Sequence, residues 1–229
     1  MAFVLEQVVP WGRNLEEYRS MFSLSKADLD KKIISFGDGP ASFNAEMHSL
    51  GNRIVSIDPI YQFSEIQLKT QFVKSREIVL EQTRNNTENF IWKNIRSIEE
   101  LEHIRSGAMD RFLEDYPLGK QQGRYIHHEL PEQLNIQDST FDIGLSSHFL
   151  VLYDQLGLDF HIKSIQEMLR ICKEIRIFPL LNLDAKKSTV LDAILDFFSE
   201  EYDTRIQPVD YEFQKGGNEM LTIRRKQQQ

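Results

Sequence analysis

Gly37-Asp38-Gly39, with Pro40 and Ala41 behind it, is the stretch of this 229-residue chain whose residue types best suit ligand chemistry. It follows Ile33-Ile34-Ser35-Phe36, an apolar run that reads as a buried strand, and it precedes a helix expected over residues 42–49. A strand, a glycine turn and a helix start leave backbone N–H groups unpaired. Glycine also lets a ligand approach a backbone that carries no side chain. That arrangement suits a nucleotide-like cofactor. Residues 53–58 read as a second strand that ends in Asp58 and is stopped by Pro59. Asp58 lies about twenty residues past the turn, the spacing at which a carboxylate meets ribose hydroxyls. The competing reading is a solvated acid at a strand end.

Further along, His148 follows Phe141-Asp142-Ile143-Gly144-Leu145-Ser146-Ser147, which reads as a fourth strand after the turn residues Asp138-Ser139-Thr140. Ligand sites of α/β sheets lie at the carboxyl ends of strands, which makes His148 the candidate general base, with Tyr153 and Asp154 as neighbours able to orient a substrate. Near the start, Trp11, Arg13 and Tyr18 are candidate substrate contacts if the first 32 residues form a helical flap. The alternative is a helix packed on the domain, since Leu15, Tyr18, Met21 and Phe22 share one face. His127 and His128 are adjacent and face opposite sides of an extended chain, so they do not chelate one metal as a pair. No metal site is expected, and the single cysteine, Cys172, allows neither an internal disulfide nor a cysteine-based zinc site.

These residues need a scaffold, and the composition provides for one. Hydrophobic residues make up 41% of the chain, enough for a single large α/β domain with one core. Lys+Arg 27 against Asp+Glu 35 gives a net charge of −8, which argues against non-specific nucleic-acid binding. The first ten residues lack a basic start and a long apolar run, and no segment approaches a membrane span. With one cysteine, a soluble cytoplasmic protein is expected.

The remaining elements follow from punctuation and periodicity. Residues 64–123 are polar and helical, with one long helix over 64–85. A capping box at Ser97-Ile98-Glu99-Glu100 opens a second helix, which Tyr116-Pro117-Leu118-Gly119 ends. This insertion reads as a lid, as a homodimer surface or as a plain elaboration of the sheet edge. A third strand is expected over residues 124–130, a helix over 161–172, a fifth strand over 174–179 and a helix over 188–201. Residues 205–213 and 219–224 alternate as strands around the turn Gln214-Lys215-Gly216-Gly217-Asn218, and 225–229 read as a polar tail.

In this order the motifs resemble the class I S-adenosylmethionine-dependent methyltransferases, over about residues 33–224. Ser35-Phe36-Gly37-Asp38-Gly39-Pro40-Ala41 looks like the family's first motif, and Ile57-Asp58 like its ribose-binding acid. The stretch from Asp138-Ser139-Thr140 through Phe141 to Leu150 looks like the fourth-strand motif. Ile165-Gln166-Glu167-Met168-Leu169-Arg170-Ile171-Cys172-Lys173 looks like the helix before strand five. Arg124-Tyr125, Glu174-Ile175-Arg176-Ile177-Phe178-Pro179-Leu180 and Tyr211-Glu212-Phe213-Gln214 are similar to a bacterial subgroup without an assigned substrate. Three departures stand out. Ser35 occupies the place of a customary acid, Ala41 replaces a third glycine, and the glycine pair before strand five is missing.

The resemblance implies a Rossmann-like three-layer α/β sandwich. Its mostly parallel seven-stranded sheet would carry a C-terminal antiparallel hairpin and a helical insertion between strands two and three. It implies S-adenosyl-L-methionine as cofactor and a small-molecule acceptor. Backbone at Gly37, Asp38 and Gly39, with Pro40 and Ser35, would meet the cofactor. Asp58 would bind the ribose, Pro59 or Ile60 would lie along the adenine, and Glu129 or Leu130 would border it. Ser146, with Ser147 nearby, would line the methionine end. No Asn/Asp-Pro-Pro-Tyr box follows strand four, so nothing marks a nucleic-acid base as acceptor. A second reading is a non-catalytic member of the fold that binds the cofactor or a protein partner. A nicotinamide-dependent dehydrogenase fits poorly, because Ser42 sits where the dinucleotide fingerprint places its last glycine.

Overall fold

The structure, a computed structural model, describes residues 11–226; the readings of residues 1–10 and of the last three residues lie outside it. Asn14 opens α1 (Leu15–Met21) with a reciprocal capping box to Glu17, and Ser25 opens a short α2 (Lys26–Leu29) in the same way. Two β-branched residues then start β1 (Ile33–Phe36), which is buried at every position. The glycine turn leads into α3 (Phe43–Ser49), and β2 (Ile54–Ile57) returns parallel to β1. A 3-10 turn at Pro59–Gln62 follows.

The expected insertion is an antiparallel pair of long helices, α4 (Glu65–Arg84) and α5 (Ile98–Gln121). Ser64 opens α4 with a capping box. At α5 the box is incomplete: Ser97 accepts from the Glu100 N–H, but the Glu100 carboxylate takes the N–H of Arg96. Pro117 does not end α5, which continues to Gln121. Its last turn is held from outside, since the Tyr116 hydroxyl donates to the carbonyls of Tyr61 and Phe63 and Lys120 donates to that of Tyr61. Gly119 is required there, because a Cβ would fall 2.4 Å from the Tyr125 ring.

The third strand is shorter than its pattern suggests: β3 covers only Tyr125–Ile126, parallel to β2. Then come β4 (Phe141–Ser147), α6 (Leu158–Ile171), β5 (Cys172–Phe178) and α7 (Leu191–Phe198). The last pair is β6 (Tyr202–Pro208) and β7 (Glu219–Arg225). The seven strands lie in the order β3-β2-β1-β4-β5-β7-β6, with β7 antiparallel to both of its neighbours. β6 begins earlier than expected and stops at Pro208. Alternation continues past it because Tyr211 and Phe213 turn inward from an extended connection, not from a ladder.

One core lies against α6 and α7, built from β1, β4 and β5 residues such as Ile34, Phe36, Ile175 and Ile177. A second lies on the opposite face under α1 and α3, with Tyr18, Met21, Phe22, Phe43 and Met47. A third joins the insertion to the sheet edge through Tyr61, Phe112, Tyr116 and Tyr125. The sheet order reverses between β1 and β4. A cleft at the carboxyl ends of the strands is expected at such a switch point. None of the helices among the described residues is long and apolar enough to cross a membrane.

Candidate functional site

A cleft of about 1250 Å3 opens at that switch point. Gly37, Asp38, Gly39 and Pro40 line it after β1, Asp58, Pro59 and Ile60 after β2, and Ser147, His148 and Tyr153 after β4. Trp11, Arg13 and Tyr18 reach it from the N-terminal segment, and Glu129 and Leu130 from the loop after β3. α4 and α5 add a wall that includes Gln67, Gln71 and Arg105. The structure therefore brings together fourteen of the sixteen site residues expected from sequence. Ser35 and Ser146 are the exceptions, and both are fully buried. Ser146 faces away and accepts from the N–H of Leu150, so Ser147, its neighbour on the opposite strand face, lines the cleft.

The glycine turn is held open by backbone geometry. Gly37 and Gly39 have φ of 62° and 59°, values that side-chain-bearing residues rarely adopt. A Cβ at Gly37 would also meet the Phe149 ring at 2.6 Å. Asp58 braces the turn: its Oδ2 accepts from the Gly39 N–H at 2.8 Å and its Oδ1 from the Ile60 N–H at 2.9 Å. A carboxylate has about four acceptor positions, so two remain for a ligand. Burial pushes Asp58 up to about 6, against those two N–H donors and with a further push from the Asp38 charge. Tyr61, missed in the sequence, donates to the Gly39 carbonyl at 2.7 Å from a fully buried ring.

Asp38 turns inward from the middle of the turn. Its carboxylate accepts from the hydroxyls of Ser35 and Ser56, both at 2.5 Å, and from that of Tyr18. Burial raises the pKa of Asp38 above the usual carboxylate range, while the three hydroxyls oppose that rise. Ser35 thus faces a carboxylate three residues along in place of carrying one. The network continues from Ser56 to Asn44, from Asn44 to Arg124 and from Arg124 to Asp115 on α5, which ties the insertion to the turn.

The loop after β4 is strained and heavily pinned. His148 has φ of 54° and Val151 of 73°, and a β-branched residue there is a clear outlier. The His148 N–H donates to the Phe178 carbonyl at 2.6 Å, and its Nδ1 lies 2.9 Å from Ser147 Oγ. The Val151 N–H reaches His161 Nδ1 at 3.4 Å, and the Val151 carbonyl accepts from Ser188 at 2.8 Å. Burial holds His148 well below the usual histidine range, and the Arg13 and Arg105 charges lower it further. At neutral pH its imidazole is uncharged and able to accept a proton.

The N-terminal segment crosses the turn. A Cβ on Gly12 would lie 2.0 Å from the Pro40 carbonyl oxygen, so only glycine fits, and the Arg13 carbonyl accepts from the Ser42 N–H at 3.0 Å. On α1, Glu17 makes a two-point ion pair with the buried Arg105 at 2.6 Å for each bond. Gly12, Ser56, Arg105 and Phe149 went unnoticed in the sequence. Gly12 and Phe149 stand beside residues already singled out, Arg13 and His148, and what all four do at the site depends on tertiary approach. Among the described residues no cluster of three or more His, Cys, Asp or Glu side chains could hold a metal ion.

The chain is 40% identical over 223 residues to the uncharacterised protein MJ0045 of Methanocaldococcus jannaschii, a match that spans 96% of this chain and 98% of that one. That relative is archaeal. No family model matches the sequence. Among solved structures, the chain is similar to the methyltransferase domain of bacterial CtHen1-CN, with a TM-score of 0.47, 11% identity and coverage of 87% of this chain and 92% of that one. It is similar to the mitomycin 7-O-methyltransferase MmcR, with a TM-score of 0.49, 13% identity and coverage of 93% and 54%. It is also similar to a TehB-like methyltransferase from Corynebacterium glutamicum, with a TM-score of 0.47, 14% identity and coverage of 86% and 81%.

Proposed function

We propose that this chain, which belongs to the family of the uncharacterised protein MJ0045 of Methanocaldococcus jannaschii, is an S-adenosylmethionine-dependent methyltransferase acting on a small-molecule acceptor. The observation that carries this reading is Asp58. It directly follows β2, braces the glycine turn through the Gly39 N–H and keeps acceptor positions for a ligand in the cleft. The reversed β7 inside an otherwise parallel sheet supports it, as do the sequence motifs.

The residues fit the cofactor by their chemistry. Asp58 would take the ribose hydroxyls, with Pro59, Ile60, Glu129 and Leu130 around the base. The Asp38 carboxylate, buried on three hydroxyls, supplies the negative charge that Ser35 does not, beside the place where a cationic amino-acid end would lie. When bound, the cofactor supplies an electrophilic methyl group on a sulfonium whose departure leaves a neutral thioether. The protein's part is to hold the acceptor in line and to exclude water. His148, uncharged and on the cleft wall, would accept the acceptor's proton where one must leave, and Tyr153 would help position it. A cytoplasmic location is part of the same proposal.

Calorimetric titration with S-adenosylhomocysteine tests the reading, with NAD as comparator. Saturable binding is expected, weakened ~10- to 100-fold in Asp58→Ala as charge-assisted hydrogen bonds are lost. No heat at millimolar ligand, or tighter binding of NAD, would count against it.

A further inference from the structure

Beside the turn lies a cluster of cations with too few anions. Arg13 and Arg105 both border the cleft, and Glu17 is the carboxylate that senses both of them. Glu17 is already saturated. It accepts two bonds from Arg105, one from the Tyr211 hydroxyl at 3.0 Å and one from the Asn14 N–H at 3.1 Å. Those four bonds use the positions a carboxylate offers.

Arg13 is left over. Its one hydrogen bond among the described residues runs from Nη1 to the Trp11 carbonyl at 3.1 Å, and its Nε is buried without a partner. No acid lies within ion-pair distance of it among the described residues, whereas Arg105 has Glu17 at 2.6 Å. Guanidinium keeps its charge when buried, and a charge without a partner in such a place costs free energy until a counterion arrives. Two guanidinium groups against one carboxylate leave a surplus of one positive charge. Arg13 lines the same cleft as Tyr18, His148 and Tyr153, and its charge acts on all three.

We propose that Arg13 is the receptor for a ligand carboxylate at the floor of the cleft, taking it through the unpartnered edge of its guanidinium. A monoanion matches the surplus, and a planar carboxylate matches the fork. Two ligands could bring that carboxylate: the methyl acceptor or the amino-acid end of the cofactor. Only this question of source rests on the methyltransferase reading; the anion site does not.

The test compares wild type with Arg13→Gln and Arg13→Lys by calorimetry, using benzoate, neutral benzamide, S-adenosylhomocysteine and 5′-methylthioadenosine, which lacks the amino-acid carboxylate. Arg13→Gln should melt no lower than wild type, since it removes no ion pair. If the acceptor brings the carboxylate, benzoate binds in the presence of S-adenosylhomocysteine and weakens ~10- to 100-fold in Arg13→Gln. Both adenosyl ligands then bind unchanged. If the cofactor brings it, S-adenosylhomocysteine weakens by that factor while 5′-methylthioadenosine does not. Arg13→Lys should fall between, keeping the charge without the fork. A bound carboxylate should also raise the titration midpoint of the His148 ring resonance in NMR, by neutralising Arg13 while Arg105 stays paired to Glu17.

The proposal is overturned if Arg13→Gln changes none of these affinities, or if benzamide binds as tightly as benzoate. If neither adenosyl ligand binds wild type while benzoate binds through Arg13, the methyltransferase reading fails and the anion site stands.

Discussion

Asp58 holds a carboxylate whose acidity follows from its place. Burial raises its pKa from 3.8 to about 6, the Ile60 and Gly39 N–H groups pull it down, and Asp38 pushes it up. The folded protein therefore binds this proton more tightly than the unfolded chain. Between about pH 4 and about pH 6 the folded state carries more of the proton, so this contribution to stability is full below the window and is lost as pH rises through it. A difference of about two units amounts to about 3 kcal/mol. Melting temperatures measured across this range should fall more steeply in wild type than in Asp58→Asn, where the contribution is absent. The ionised form accepts ribose hydroxyls better, so affinity for S-adenosylhomocysteine should climb as pH rises through about 6 and then level off. A flat profile in wild type would remove Asp58 from the ribose site. At this scale the sequence was half legible. Asp58 showed itself by spacing from the glycine turn. The partner of Ser35 did not, because nothing local says that Asp38 folds back onto two serines and a tyrosine from another element.

Elements with local signals were readable to within a residue or two. The caps at Asn14 and Ser64 are side-chain chemistry written in the sequence, and β1 and β4 are short, largely buried stretches that open on apolar residues. Elements settled by remote contacts were misread. α5 passes through Pro117 because Tyr61 and Phe63 carbonyls anchor its last turn. Residues 209–213 keep strand periodicity without a strand, because Tyr211 bonds Glu17 and Phe213 stacks on Phe90 at 4.8 Å. The N-terminal segment belongs to this scale as well. Gly12→Ala would drive a Cβ into the Pro40 carbonyl and lift residues 11–13 off the turn. The expected result is a melting cost of about 1–2 kcal/mol. Because Trp11 and Arg13 move with the segment, benzoate affinity should also fall ~10-fold. Thermal melts alongside calorimetry check both, and unchanged binding would show that this segment does not shape the cleft.

For the molecule as a whole, the seven-stranded order with β7 reversed explains why the site is where it is. The order turns between β1 and β4, and the glycine turn, Asp58 and His148 all meet at the carboxyl ends there. α4 and α5, an excursion from the edge of the sheet, extend the cleft with Gln67, Gln71 and Arg105 and are locked to the turn through Asp115, Arg124, Asn44 and Ser56. The most direct measurement is a crystal structure of the protein with S-adenosylhomocysteine. The predicted result has both ribose hydroxyls on the Asp58 carboxylate, the amino-acid end beside Asp38, and the sulfur facing the chamber between Arg13 and His148. A ligand bound away from Asp58, or a cleft left empty at saturating ligand, would contradict it.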